Sequence, residues 1–120
     1  PISFTLAYPE RIKTNVRRLN LSEIKKLTFF EPDLNKYPCL QLAYNSLEIG
    51  KSAPTILNAA NEVAVQRFLE KKIKFLSIPN VVEKTLKNSS ICSINSIKDV
   101  IEIDKESRDL TNNIIKSGSF

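Results

Sequence analysis

Histidine, methionine and tryptophan are absent from this 120-residue chain, and glycine and cysteine occur only twice each. Without histidine there is no Ser-His-Asp triad, no imidazole acid–base catalyst and no histidine-ligated metal. Cys39 and Cys92 stand too far apart for a structural zinc site, which needs four ligands in close pairs. Two unclustered cysteines fit a reducing compartment, so a cytoplasmic protein is expected, with both thiols as small packing groups. Gly50 and Gly118 leave no room for a dinucleotide or P-loop fingerprint. No apolar run approaches the roughly 18 residues of a membrane span, and the start has no signal-peptide pattern. No membrane partner is therefore expected. The missing methionine is expected of a segment of a longer protein, although trimming before Pro1 would leave the same composition.

What remains is an ordinary globular composition, 42% hydrophobic and 26% charged, with a formal charge of +5. The charge is uneven. Residues 1–30 hold Arg11, Lys13, Arg17, Arg18, Lys25 and Lys26 against Glu10 and Glu23, whereas the rest is nearly neutral. Such a basic front suits a solvated linker or a polyanion patch. Between residues 9 and 28 there is no aromatic side chain for bases to stack on, which favours the linker and argues against a nucleic-acid partner. A small basic helical nucleic-acid-binding or interaction module is the alternative reading.

The pattern along the chain predicts a mainly α fold: an antiparallel helical bundle preceded by an extended linker with one or two short strands. Ile2, Phe4 and Leu6 give a short helix that Tyr8-Pro9 should end. Residues 10–26 are linker-like, with one possible helical turn at Ser22–Ile24. Leu27–Phe30 and Lys72–Phe75 read as strands, and so meagre a pair suits the edge of a sheet whose other strands lie outside this chain. Pro38 opens a helix with Leu40, Ala43, Tyr44 and Leu47 on one stripe, and Gly50 supplies a left-handed stop. Ser52-Ala53-Pro54 opens a second, with Leu57, Ala60, Ala64 and Phe68 along it and Ile56, Val63 and Leu69 beside them, ending at Lys71-Lys72. Ser77 should cap a third helix carrying Ile78, Val82 and Leu86, broken at Asn88-Ser89-Ser90. Ser96 with Asp99 three residues on makes a capping-box-like start for Ile97, Val100 and Ile101, and Asp104 could recap the chain for a final helix with Leu110 and Ile114.

Within the second helix, Asn58, Asn61 and Glu62 are unusual, because asparagine competes with the helical backbone for hydrogen bonds. Set among small alanines, they suit either an ordinary solvated face or close contact with another backbone. One carboxylate and two amides are too few for a dedicated cation site.

Read in order, several pieces carry a family resemblance. They are Pro1-Ile2 leading to Ala7-Tyr8-Pro9-Glu10-Arg11, then Leu27-Thr28-Phe29, Pro32-Asp33, and Tyr37-Pro38-Cys39-Leu40 with Leu42-Ala43-Tyr44. Leu57-Asn58-Ala59-Ala60-Asn61-Glu62-Val63-Ala64-Val65 is the most specific, and Asp99-Val100-Ile101 with Asp104 and Arg108 completes the set. With these the chain resembles the C-terminal part of the 1-deoxy-D-xylulose 5-phosphate reductoisomerases over nearly its whole length. Phe30 and residues 87–95 depart modestly from the pattern.

The resemblance implies an NADPH-dependent enzyme, using Mg²⁺ or Mn²⁺, that converts 1-deoxy-D-xylulose 5-phosphate to 2-C-methyl-D-erythritol 4-phosphate in the non-mevalonate route to isoprenoids. It implies a homodimer whose dinucleotide-binding and catalytic domains precede Pro1. Residues 1–9 would end the catalytic domain, 10–36 would form the linker and 37–120 the C-terminal bundle. No catalytic, cofactor-binding or metal residue is then expected within this segment, and it should be inactive alone. Asn58, Asn61 and Glu62 become candidates for interdomain support.

Overall fold

A computed structural model of the chain describes residues 2–17, 19–118 and 120. It divides into two compact units, Pro1–Glu31 and Pro32–Phe120. The first contains two short helices, α1 (Ile2–Ala7) and α2 (Leu21–Ile24), and none of its described residues is buried. Helix α1 ends just before Tyr8-Pro9, where the proline ring bars further helix. The single turn α2 is capped by Asn20, whose side chain accepts from the Ser22 backbone N–H at 3.2 Å.

The second unit is a helical bundle of α3 (Pro38–Ile49), α4 (Ala53–Leu69), α5 (Ile78–Asn88) and α6 (Ile97–Ser117), with a 3-10 turn at Phe75–Ser77. The mainly α expectation therefore holds, but the strand expectations do not. Among the described residues there is no strand: Leu27–Phe30 is irregular, and Lys72–Phe75 runs as a loop into the 3-10 turn. A short apolar run becomes a strand only with a ladder partner, and neither segment has one here.

Helix α4 is the hub and packs against α3, α5 and α6. Its Ala53, Ala59, Ala60 and Ala64 are fully enclosed, so three neighbours can approach its backbone closely. Ala60 and Ala64 join Ile73, Ile78, Val81 and Val82 in the core, lined by Leu42, Leu57, Phe68 and Leu86. The apolar stripe assigned to α3 is corrected by the structure. Leu40 is half-buried, but Ala43, Tyr44 and Leu47 face out; Leu42 and the buried Ser46 turn inward instead. A serine one turn from a leucine permits a closer helix approach than Tyr44 would.

The helix ends follow from local chemistry. Gly50 closes α3 at φ 65°, ψ −146°, a region open to glycine but outside the left-handed well that the sequence suggests. At the end of α4, the Lys72 and Lys71 N–H groups donate to the Arg67 and Phe68 carbonyls, a Schellman arrangement with Lys71 at φ 59°. Ser77 precedes α5 as anticipated but makes no side-chain cap bond. The Ser96–Asp99 capping box is present in both directions. Asp104 does not restart the chain: α6 runs unbroken through it, because the Asp104 carboxylate pairs with Arg108 one turn on.

Polar groups stitch the bundle where sequence gave no warning. The buried Ser52 donates its backbone N–H to the Cys92 carbonyl at 3.0 Å, and its hydroxyl accepts from the Cys92 N–H at 2.9 Å. This pins the loop after α5 to the start of α4. Thr85 of α5 and Thr111 of α6 meet at 3.2 Å in the interior.

Candidate functional site

The three candidate residues of α4 have different surroundings. Asn58 and Glu62, one turn apart, bond to each other at 3.1 Å. Glu62 then accepts from the Arg108 guanidinium of α6, which also grips Asp104 through Nε at 2.7 Å. Arg108 thus bridges two carboxylates and locks α6 against α4. Hydrogen bonds from Arg108 and then Asn58 hold the Glu62 carboxyl below its ordinary value, and the Asp104 and Glu62 carboxylates raise the Arg108 pKa further. One turn along the same seam, Arg67 donates to the Asn112 amide oxygen at 2.7 and 3.2 Å. Glu70, accepting from Lys72, Gln66 and Arg67, is lowered to about 2.

Asn61 is not part of this network. It points to a groove of about 380 Å³ between the start of α3, the 3-10 turn and the start of α5. Pro38, Val65, Ile78 and Pro79 supply apolar wall, with Phe75 and Leu76 at the lip. Cys39 lines it too, and partial burial of its sulfur pushes the thiol pKa up, so it stays protonated and a poor nucleophile.

Glu62 and Asp104 already share Arg108, whose positive charge sits between the two carboxylates. Among the described residues no group of three or more histidine, cysteine, aspartate or glutamate side chains could hold a metal ion. No glycine-rich turn precedes a helix to cradle a pyrophosphate. The Glu62–Arg108 pairing was missed in sequence because its partners lie on different helices; the only hint was that both belong to segments carrying the resemblance.

Comparison with known proteins bears on the whole chain. Residues 1–110 match the family model described as the DXP reductoisomerase C-terminal domain. The 1-deoxy-D-xylulose 5-phosphate reductoisomerase of Desulforamulus reducens is 46% identical over 98% of this chain and 30% of its own length. That of Prochlorococcus marinus is 51% identical over 87% of this chain and 26% of its own. Among solved structures, the Zymomonas mobilis reductoisomerase in complex with NADPH superimposes with a TM-score of 0.85 at 39% identity, covering 95% of this chain and 30% of that one. A DOX-P reductoisomerase in complex with NADPH, fosmidomycin and magnesium gives 0.85 at 35% identity, over 96% and 30%. The chain spans about 30% of the length of the curated relatives it matches. It belongs to the DXP reductoisomerase C-terminal domain family.

Proposed function

We propose that this chain is the C-terminal supporting part of a 1-deoxy-D-xylulose 5-phosphate reductoisomerase. The complete enzyme rearranges and reduces its substrate to 2-C-methyl-D-erythritol 4-phosphate with NADPH and Mg²⁺ or Mn²⁺, serving isoprenoid synthesis as a cytoplasmic homodimer. The observation that carries this reading is the near-complete coverage of the chain against only 30% of relatives 46% identical to it. Residues 1–9 would close the catalytic domain, 10–36 form the linker and 37–120 the bundle. The lack of buried side chains among the described residues of 1–31, with Phe29 and Phe30 86% and 89% exposed, supports a strap that gains its contacts from other domains. Among the described residues no helix is long and apolar enough to cross a membrane.

Asn58, Asn61 and Glu62 remain the candidates for interdomain support. In the complete enzyme, replacing all three by alanine should raise KM or lower the melting temperature; unchanged kinetics and melting would reject that role. The purified 120-residue chain should oxidise no NADPH when given the substrate. Any substrate-dependent oxidation would show that the active site is not confined to the upstream domains.

A further inference from the structure

The polar residues of α4 offer different things to a neighbouring domain. Asn58 and Glu62 already serve the bundle through Arg108. The Asn61 side chain makes no hydrogen bond among the described residues and lines the apolar groove, as does Asn80 at the start of α5. We propose that this groove seats an apolar side chain carried on a loop of the preceding domain in the complete polypeptide. The inference rests on the reading that such a domain exists.

Three observations support that occupant. The lip is preformed: Phe75 packs edge-on against Phe68 of α4, with ring centroids 5.6 Å apart, so the 3-10 turn is held in place although Leu76 is 79% exposed. The chemistry suits polypeptide. An apolar wall takes a side chain, and the Asn61 and Asn80 amides can each donate to and accept from peptide groups on either side of it. Lys36 is the only charged side chain among the lining residues, a single flexible cation where phosphate sites gather several charge-assisted donors. Finally, the relatives carry more than twice as many residues outside this segment as within it, and the groove opens beside residues 35–39, where the chain enters the bundle.

The test uses a full-length relative in which this chain replaces the matching C-terminal 30%. Leu76→Asp places an unpaired charge in the groove, whereas Leu47→Asp does the same on the exposed flank of α3. Leu76→Asp should lower the first thermal transition by about 4 °C or more and raise hydrogen exchange at residues 75–80. Leu47→Asp should change neither. In the 120-residue chain itself both variants should melt like the parent, since neither side chain supports the core. Three results would overturn the proposal: parental melting of full-length Leu76→Asp, the loss appearing with Leu47→Asp instead, or a 120-residue dimer that Leu76→Asp dissociates. Absence of NADPH oxidation by the unsubstituted full-length protein would count against the functional reading alone, because melting and exchange report the docking independently.

Discussion

Thr85 and Thr111 are fully enclosed, on α5 and α6, and their hydroxyl oxygens lie 3.2 Å apart. Thr111 also donates to the Ser107 carbonyl at 2.6 Å, and Thr85 to the Val81 carbonyl at 2.9 Å. Two hydroxyl protons thus serve three contacts. The short Thr111–Ser107 bond takes one, and the Thr85 proton is shared between the Val81 carbonyl and the Thr111 oxygen. In Thr85→Val, Thr111 keeps its own acceptor, and the Val81 carbonyl still receives the helical N–H from residue 85. No buried polar group is orphaned. The expected cost is therefore the net worth of one hydrogen bond, about 1 kcal/mol, or a fall in Tm of about 4–8 °C for a unit of this size. Thr111→Val should cost about the same. The double variant should cost clearly less than the sum, by about 0.5 kcal/mol or more, because the contact between the hydroxyls can be lost only once. Urea unfolding followed by far-UV circular dichroism measures all three, with an unchanged m-value confirming comparable states. A single-variant loss above about 3 kcal/mol would mean that a buried group had been stranded. Strict additivity would mean that the two hydroxyls do not share a proton.

Other expectations follow from single sites. Ile56→Ala, at 1% exposure in the first turn of α4, should destabilise the bundle by about 3 kcal/mol in the same assay. Ser96→Ala removes one arm of the α6 capping box and should cost about 1 kcal/mol, with exchange rising in the first turn of α6. Gly50→Ala meets open space, its nearest neighbour being 4.0 Å away, but must hold φ at 65° and ψ at −146°; the loss should be about 1–3 kcal/mol. For Glu70, with its folded pKa lowered to about 2 from 4.5, the contribution is present above the unfolded value and disappears as pH falls through that window. Stability should therefore drop between these pH values, and Glu70→Gln should make the drop shallower; an identical pH profile would contradict the pairing.

The helices were largely legible in the sequence because their ends are written locally. Pro38, Pro54 and Pro79 sit in first turns, Gly50 supplies a positive φ, and Ser96 with Asp99 forms a cap within four residues. What was not legible depends on partners distant in sequence. Leu40, Ala43, Tyr44 and Leu47 make a convincing stripe, yet α3 turns Leu42 and Ser46 inward, since only the approach of α4 decides which face is covered. Asp104 resembles a fresh cap until Arg108 claims it, and the two expected strands needed ladders that are absent among the described residues. The same limit applies to the candidate site. Asn58, Asn61 and Glu62 stand out in sequence as three polar groups on one helix. Their division between Arg108 and the groove appears only once α6 and the 3-10 turn are in place.

The central claim is that this chain supports chemistry performed elsewhere in a longer polypeptide. Its most direct test compares three proteins by NADPH oxidation with 1-deoxy-D-xylulose 5-phosphate: a full-length relative, the same relative truncated before the matching segment, and the truncated relative completed by fusing on this chain. The fused protein should recover activity to within about tenfold of the full-length enzyme, a barrier difference of about 1.4 kcal/mol, while the truncated form remains inactive. Full activity in the truncated form, or a folded fusion with none, would contradict the account.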